Sequence, residues 1–395
     1  MGFAGGFTLG VVQSGFELVG KRELPGGFGV LNCEVNRHLL GNQWVAEAVE
    51  AEKWSVPPNV DFVFGNPPCS GFSVMSSKQF RGADSKINHC MWSFAEYVAR
   101  ANPYVAAFES VQQAFSSPDG LELMRNLRRK LEQDTSTQWT LTHLRHNAYS
   151  LGGAAIRRRY FWVVSRIPFG VATPRPGRLP LLGDTIRDLG NLPLTAHPQP
   201  YRSPANWWAA PRRATDPPLV DGHVPVHNPL TTRLGQLMES VDWRPGESVG
   251  AVLRRSYEER GGLPGAWAAS LDKLIKNDFF MGFTTPVRWD GNRPARVVTG
   301  GGPVMIVHPW LNRTVTFREV ARIMGFPDDW RIKPLIGTPG HSQTWGKGIT
   351  VDCGRWLGGW VREALDGRPG DYVGTEIGDR EYDVNFTNAH NLTLV

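Results

Sequence analysis

Cys69 lies within residues 61–73, where Asp61, Phe62, Val63 and Phe64 read as a short buried strand running into Gly65, Asn66, Pro67 and Pro68. Two prolines remove two backbone donors and fix φ, so the chain must leave the sheet at a rigid loop. A thiol held stiffly at the carboxyl end of a strand, where open α/β sheets place their ligands, is a candidate nucleophile. On this stretch alone a loop cysteine that merely packs is equally open. Glu109 follows a second apolar strand at 104–108 and precedes Ser110 and Val111. A carboxylate there faces the same edge of a parallel sheet as Cys69. Arg157, Arg158 and Arg159 immediately precede a third apolar run. Three arginines in a row are often a solvated face, but alternation before a buried strand points Arg157 and Arg159 the same way.

The elements that would carry these groups can be read in order. Residues 3–16, with Phe3, Gly5, Gly6, Phe7, Thr8 and Leu9, form a glycine-rich turn entering a helix. Such a turn lets the backbone approach a cofactor closely, and a helix N-terminus favours a nearby negative group. Residues 16–19 read as the approach to a second strand, leaving Glu23 or Glu34 near its end to accept hydrogen bonds from ribose hydroxyls. The choice stays open because Leu24, Pro25, Gly26 and Gly27 interrupt the register. Helical spacing at 92–100 and 121–133 alternates with strands at 104–108, 139–144 and after Arg159. This predicts an α/β fold with a mostly parallel sheet.

Residues 167 to about 230 are proline-dense and predict a loop-rich segment, with helical patterns returning at 236–240 and 267–277. A helix within 314–327 is well signalled: Thr316 as N-cap, Glu319 as its capping-box partner, Gly325 and Pro327 as stop. An amphipathic helix is expected through Trp356 to Leu365, followed by a polar, peripheral tail after Gly367.

With 395 residues there is room for two domains, or for one large domain with an insertion. Hydrophobic residues at 41% and charged residues at 20% are ordinary globular values, which argues against disorder. No apolar run approaches the ~18 residues of a membrane span, and the first residues lack the pattern of a signal peptide. Cys33, Cys69, Cys90 and Cys353 form no CxxC pair, so no metal is expected and a reducing, cytoplasmic setting is favoured. A net charge of +6 permits a polyanionic partner.

The succession of motifs resembles the DNA (cytosine-5) methyltransferase family from residue 3 to about 362. The most specific matches are Pro68, Cys69, Phe72 and Ser73 in the loop, and the helix ending Gly325, Phe326, Pro327. Glu109, Ser110 and Val111 look like the family's Glu-Asn-Val, and Arg157 and Arg159 like its Gln-x-Arg-x-Arg. The resemblance implies a Rossmann-like, S-adenosyl-L-methionine-dependent catalytic domain at 1–166 and 341–395, with a smaller target-recognition domain and hinge at 167–340. It implies that Cys69 attacks cytosine C6, Glu109 binds N3 and the exocyclic amine, and Arg159, helped by Arg157, holds O2. Pro68, Ser73, Ser110 and Val111 would line the base. Phe3, Gly5, Gly6, Phe7, Thr8, Leu9, Glu23 or Glu34, Pro67 and Lys347 would line the donor. The expected partner is double-stranded DNA with the base flipped out, read by a monomer in a bacterium or a phage-infected host. Restriction–modification is one setting this allows.

Departures from the family pattern set further expectations. The glycine turn is shorter than the family's and starts at residue 3, so the family's first strand has almost nothing upstream to form it. Either translation starts further upstream or the edge of the cofactor site is unusual. Ala155 and Ser110 replace glutamine and asparagine, which loosens the surroundings without removing the chemistry. Lys347 stands where the family has an asparagine beside the donor. A lysine at about 4 Å would repel a sulfonium by roughly 1–4 kcal/mol, whereas a carboxylate on the transferred carbon would pair with it. Carboxy-S-adenosyl-L-methionine, giving 5-carboxymethylcytosine, is therefore an alternative donor, set against Lys347 simply facing solvent or phosphate. A non-catalytic DNA-binding protein on the same fold is the alternative of another class. An RNA substrate is a third, although the Cys-Phe-Thr signature of the tRNA-methylating branch is not present.

Overall fold

Gly5 takes φ 89°, a left-handed conformation open to glycine, and turns the chain into helix α1 (Gly6–Gln13). This is a computed structural model. It describes residues 4–68, 70–72, 89–172, 177–192, 194, 220–226, 241–260, 286–332, 334, 341–370 and 379–383. The chain divides into two units, Met1–Leu179 with Gly348–Val395, and Pro180–Lys347.

In the first unit the strands are β1 (Gly20–Glu23), β2 (Val45–Ala48), β3 (Phe62–Gly65), β4 (Val105–Ser110), β5 (Thr140–Asn147) and β6 (Arg158–Ser165). Its longer helices after α1 include α2 (Phe28–Val35), α3 (His89–Ala101) and α4 (Pro118–Thr135). Two very short strands, β7 (Val287–Arg288) and β8 (Ile306–Val307), belong to the second unit. The chain then returns to the first unit for a long final helix (Val351–Leu365) and β9 (Asp379–Asp383). The main sheet runs β3-β4-β6-β5-β9. β3 is parallel to β4 and β5 to β9, while β6 is antiparallel to both its neighbours.

Period-two alternation divides the strand residues between two cores. Val105, Ala107, Phe161 and Val163 face α1 and the final helix, packing with Phe7 and Leu357. Ala106, Phe108, Trp162 and Val164 face α3 and α4, packing with Val98 and Leu127. The result is a sheet between two helical layers. Glycines bring α1 hard against the final helix: a Cβ on Gly10 would meet the Val351 carbonyl oxygen at 2.2 Å, and one on Gly354 the Phe7 carbonyl oxygen at 2.6 Å.

β1 and β2 form a separate parallel pair. A pocket is lined by residues of α1, β1, β3 and α3, among them Val11, Lys21, Arg22, Phe62, Val63 and Phe94.

The second unit contains α5 (Val249–Arg260), α6 (Phe317–Ile323) and α7 (His341–Lys347), which makes the final helix α8. The predicted capping box is present: Thr316 Oγ1 accepts from the Glu319 N–H at 3.1 Å, and Glu319 Oε2 accepts from the Thr316 N–H at 2.8 Å. Gly325 follows at φ 84°. Helix α5 was not anticipated; Ser248 caps it, its Oγ accepting from the Ala251 N–H at 3.2 Å. The helical patterns expected at 236–240 and 267–277 lie outside the described residues. The tail is not merely peripheral, since β9 adds a parallel edge strand to β5. Its charged sequence hid this, because edge pairing uses backbone groups and needs no apolar side chains. No described helix is long and apolar enough to cross a membrane.

Candidate active site

β3 and β4 run parallel with Gly65 opposite Phe108, so the residues that follow them, Asn66 and Glu109, come side by side at the carboxyl edge. Asn66 Nδ2 donates to Glu109 Oε2 at 2.7 Å and to the Glu109 carbonyl oxygen at 3.2 Å. Antiparallel β6 delivers its first residues to this same edge. Glu109 pairs with Phe161, and Arg159, two residues before Phe161, places Nε 3.3 Å from Glu109 Oε1. The Glu109 carboxyl, the Arg159 guanidinium and the exit of the Pro67–Pro68 loop thus share one sheet edge. Pro67 is buried and Pro68 half-buried. Cys69 and Ser73 lie outside the described residues.

Glu109 is 2% exposed. Burial pushes its carboxyl up from the ordinary range, and this outweighs the opposing pull of Arg159, Arg157 and the Asn66 hydrogen bond. A carboxyl so held keeps its proton to higher pH and can donate it. Arg157 is buried just before β6, its N–H bonded to Asn147 Oδ1 at 3.0 Å. His146 lies beneath the arginines, stacked on Phe161 at 4.3 Å. Burial, then Arg159 and Arg157, hold it at about 3, so it adds no positive charge. Ser110 is fully buried, and among the described residues its Oγ has no hydrogen-bond partner. Val111 is half-buried against the α3–α4 core.

The described cysteines do not compete for the nucleophile's role. Cys353 Sγ sits 3.4 Å from His146 Nδ1, and burial pushes its thiol up to about 12. Burial likewise raises Cys33 and Cys90. Thiols so shifted are poor nucleophiles.

The residues expected to hold the donor divide into two groups. Gly5 and Gly6 start α1 without any side-chain cap, leaving first-turn N–H groups to a ligand. Thr8 is buried, its Oγ1 accepting from Lys21 Nζ at 3.4 Å. Phe7 and Leu9 are core residues instead; the Phe7 ring lies 4.9 Å from Phe64 and 5.6 Å from Phe161. Their apolar side chains anchor α1, so only their backbone is left to meet a ligand. Glu23 is the last residue of β1 and is buried, its Cγ so close to Gly27 that a Cβ there would approach to 2.1 Å. Glu34 is instead on α2, paired with Arg37 at 3.9 Å, so the strand-end position belongs to Glu23. An uncapped glycine helix start with a carboxylate ending the next strand fits a donor that carries ribose hydroxyls. Phe3 lies outside the described residues. Lys347 belongs to the second unit, exposed at the end of α7. No group of described residues could hold a metal ion.

Sequence reading passed over Asn66 and His146. Asn66 was in plain view beside the prolines, but its partner is 43 positions away and only the β3–β4 register reveals it.

A family model for C-5 cytosine-specific DNA methylase matches residues 2–359. DNA (cytosine-5)-methyltransferase 4 of Arabidopsis thaliana is 24% identical over 356 residues, covering 78% of this chain. The chain spans only 22% of that relative's length. Type II methyltransferase M.XorII of Xanthomonas oryzae pv. oryzae is 22% identical over 395 residues, covering 93% of this chain and 84% of the relative. A solved E. coli prophage structure, described as a DNA modification methyltransferase, has a TM-score of 0.59 at 16% identity. It covers 92% of this chain and 98% of its own, a likeness of fold.

Proposed function

Since the chain belongs to the C-5 cytosine-specific DNA methylase family, we propose that it transfers a methyl group from S-adenosyl-L-methionine to C5 of a cytosine flipped out of duplex DNA. The observation that carries this reading is the buried Glu109 carboxyl, raised by burial and set 3.3 Å from Arg159 at the edge where the Pro67–Pro68 loop leaves the sheet.

Cytosine C5 is a weak nucleophile. The Cys69 thiolate adds to C6, breaking the C5–C6 double bond and turning the ring into an enamine-like nucleophile at C5. Glu109 gives its proton to N3 as negative charge builds, and Arg159 holds O2 against the same charge. Arg157, buried behind them, adds positive potential. When bound, the donor supplies an electrophilic methyl group on its sulfonium. Loss of the C5 proton to water then expels the Cys69 thiolate, and return of the N3 proton to the Glu109 carboxylate restores both the ring and the acid. Gly5, Gly6 and Glu23 hold the donor through backbone N–H groups and ribose hydroxyls. The second unit, which contains most of the loop-rich segment, reads the DNA.

Mass spectrometry of nucleosides from duplex DNA and from transfer RNA, each incubated with the protein and donor, tests this. We expect 5-methylcytosine in DNA only. Modified RNA would move the substrate to the other nucleic acid, and 5-carboxymethylcytosine with the carboxylated donor would assign Lys347 to the donor. Absence of any product from a folded protein that binds DNA would leave a binding module.

A further inference from the structure

Asn66 is 3% exposed and is fixed from both sides. It follows β3 directly, and the residue before a proline is confined to extended backbone. Its Nδ2 group donates twice to one residue, to Glu109 Oε2 at 2.7 Å and to the Glu109 carbonyl oxygen at 3.2 Å. The orientation of the amide follows from chemistry: turned over, its oxygen would face two acceptors. Among the described residues Glu109 Oε1 and Asn66 Oδ1 have no hydrogen-bond partner, although both are buried.

We propose that Asn66 is the positioning residue of the reaction, clamping Glu109 so that Oε1, on the Arg159 side, is the oxygen that carries the transferable proton. The inference rests on the proposed cytosine chemistry and deepens it. An oxygen receiving a strong N–H donor is best as the carbonyl-like oxygen of a carboxylic acid, because a hydroxyl oxygen is the poorer acceptor. Oε2 is so engaged, and the proton therefore resides on Oε1. Oε1 lies 3.3 Å from Arg159 Nε but receives no hydrogen bond from it, so it stays free to carry the proton. Acid proton and guanidinium are thus adjacent, matching N3 and O2, which neighbour each other on the cytosine ring. Without Asn66 the carboxyl can rotate about its last bond, and the proton is shared between an oxygen facing the base and one facing away. The Asn66 N–H also stabilises the carboxylate form, so its loss makes Glu109 hold its proton to higher pH.

The test uses the full chain as wild type, Asn66→Ala and Asn66→Asp; the last keeps the volume and removes the N–H donor. Two quantities are measured. The first is the Glu109 carboxyl titration in the free protein, by carbon-13 NMR of labelled glutamate, assigned with Glu109→Gln. The second is the pH profile of single-turnover methyl transfer to duplex DNA. We expect the Glu109 titration and the alkaline limb of the rate to move to higher pH together, more in Asn66→Asp than in Asn66→Ala. The plateau rate should fall at least tenfold in both variants, measured below their lowered thermal midpoints and with donor affinity unchanged, since a buried Glu109 without its N–H donor also costs stability. A residue that only holds the loop would lower the rate equally at every pH and leave the titration in place. That result overturns the inference, as does an unmoved Glu109 titration in Asn66→Asp even if Asn66→Ala fails to fold. If the titration moves but wild type makes no methylated DNA, the clamp on Glu109 stands and the proposed reaction falls.

Discussion

Glu319→Ala should unfold the second unit more readily than any nearby change, and the magnitude can be worked from its surroundings. Glu319 is fully buried and accepts three close hydrogen bonds. Arg313 reaches it with Nη1 at 2.9 Å and Nη2 at 2.7 Å, and the Thr316 N–H at 2.8 Å. His308 Nε2 stands 3.6 Å away. Among the described residues, truncation leaves the guanidinium of Arg313, 6% exposed, with the Thr314 carbonyl at 3.0 Å. Breaking a buried pair by removing one partner costs about 3–5 kcal/mol, since the stranded charge stays desolvated. The lost half of the capping box adds on the order of 1 kcal/mol. Replacing both partners by apolar residues, Arg313→Met with Glu319→Leu, strands no charge and should recover at least half the loss. Urea unfolding followed by tryptophan fluorescence measures this, because Trp330 and Trp345 are fully buried in the same unit. A cost below about 1 kcal/mol for Glu319→Ala, or a double variant less stable than the single one, would refute the reasoning.

Acid should destabilise the protein through buried neutral histidines. His146, His223 and His308 are held by burial at about 3, 4 and 3 respectively. Their folded values are depressed, so the unfolded chain takes up the protons the folded chain refuses. Stability is complete above about 6.5 and falls as pH drops towards 4 for His223 and towards 3 for His146 and His308, by up to ~1.4 kcal/mol per pH unit for each histidine. His308→Gln should reduce that slope by one histidine's share, read from urea midpoints at several pH values. Gly10→Ala should cost at least about 1–3 kcal/mol by forcing α1 from α8, seen as a lower thermal midpoint, whereas Gly359→Ala, with open space around it, should not. Glu109→Gln keeps the shape but not the acid, so single-turnover methyl transfer should slow by about 10²–10⁴-fold with DNA affinity unchanged.

Much of the first unit was legible because its signals are local. Alternation along β4 and β6 separates residues into two faces, and the sequence shows it directly. The capping box at Thr316 and Glu319 is likewise a matter of spacing. Proline–proline after β3 placed the loop at a strand's carboxyl end, where the structure carries Asn66, Pro67 and Pro68. What stayed hidden depends on partners far along the chain. The reversed direction of β6 brings Arg159 to Glu109 from the start of a strand rather than its end, and no local pattern states it. Phe7 and Leu9 were read as donor contacts from their motif, and their buried side chains leave the backbone for that part. Glu34 was a candidate only until α2 became visible. Asn66, directly before the prolines that drew attention, meets its partner Glu109 only through the register of β3 and β4.

The central claim is that Cys69 attacks cytosine while Glu109 and Arg159 hold the ring. Duplex DNA containing 5-fluorocytosine measures it directly, because fluorine at C5 cannot leave as a proton does and the thiolate cannot be expelled. With donor present the wild-type chain should form a denaturation-resistant protein–DNA adduct whose peptide mass maps to Cys69, and Cys69→Ser should form none. A folded, donor-bound wild type without the adduct, or an adduct that persists in Cys69→Ser, would contradict the account.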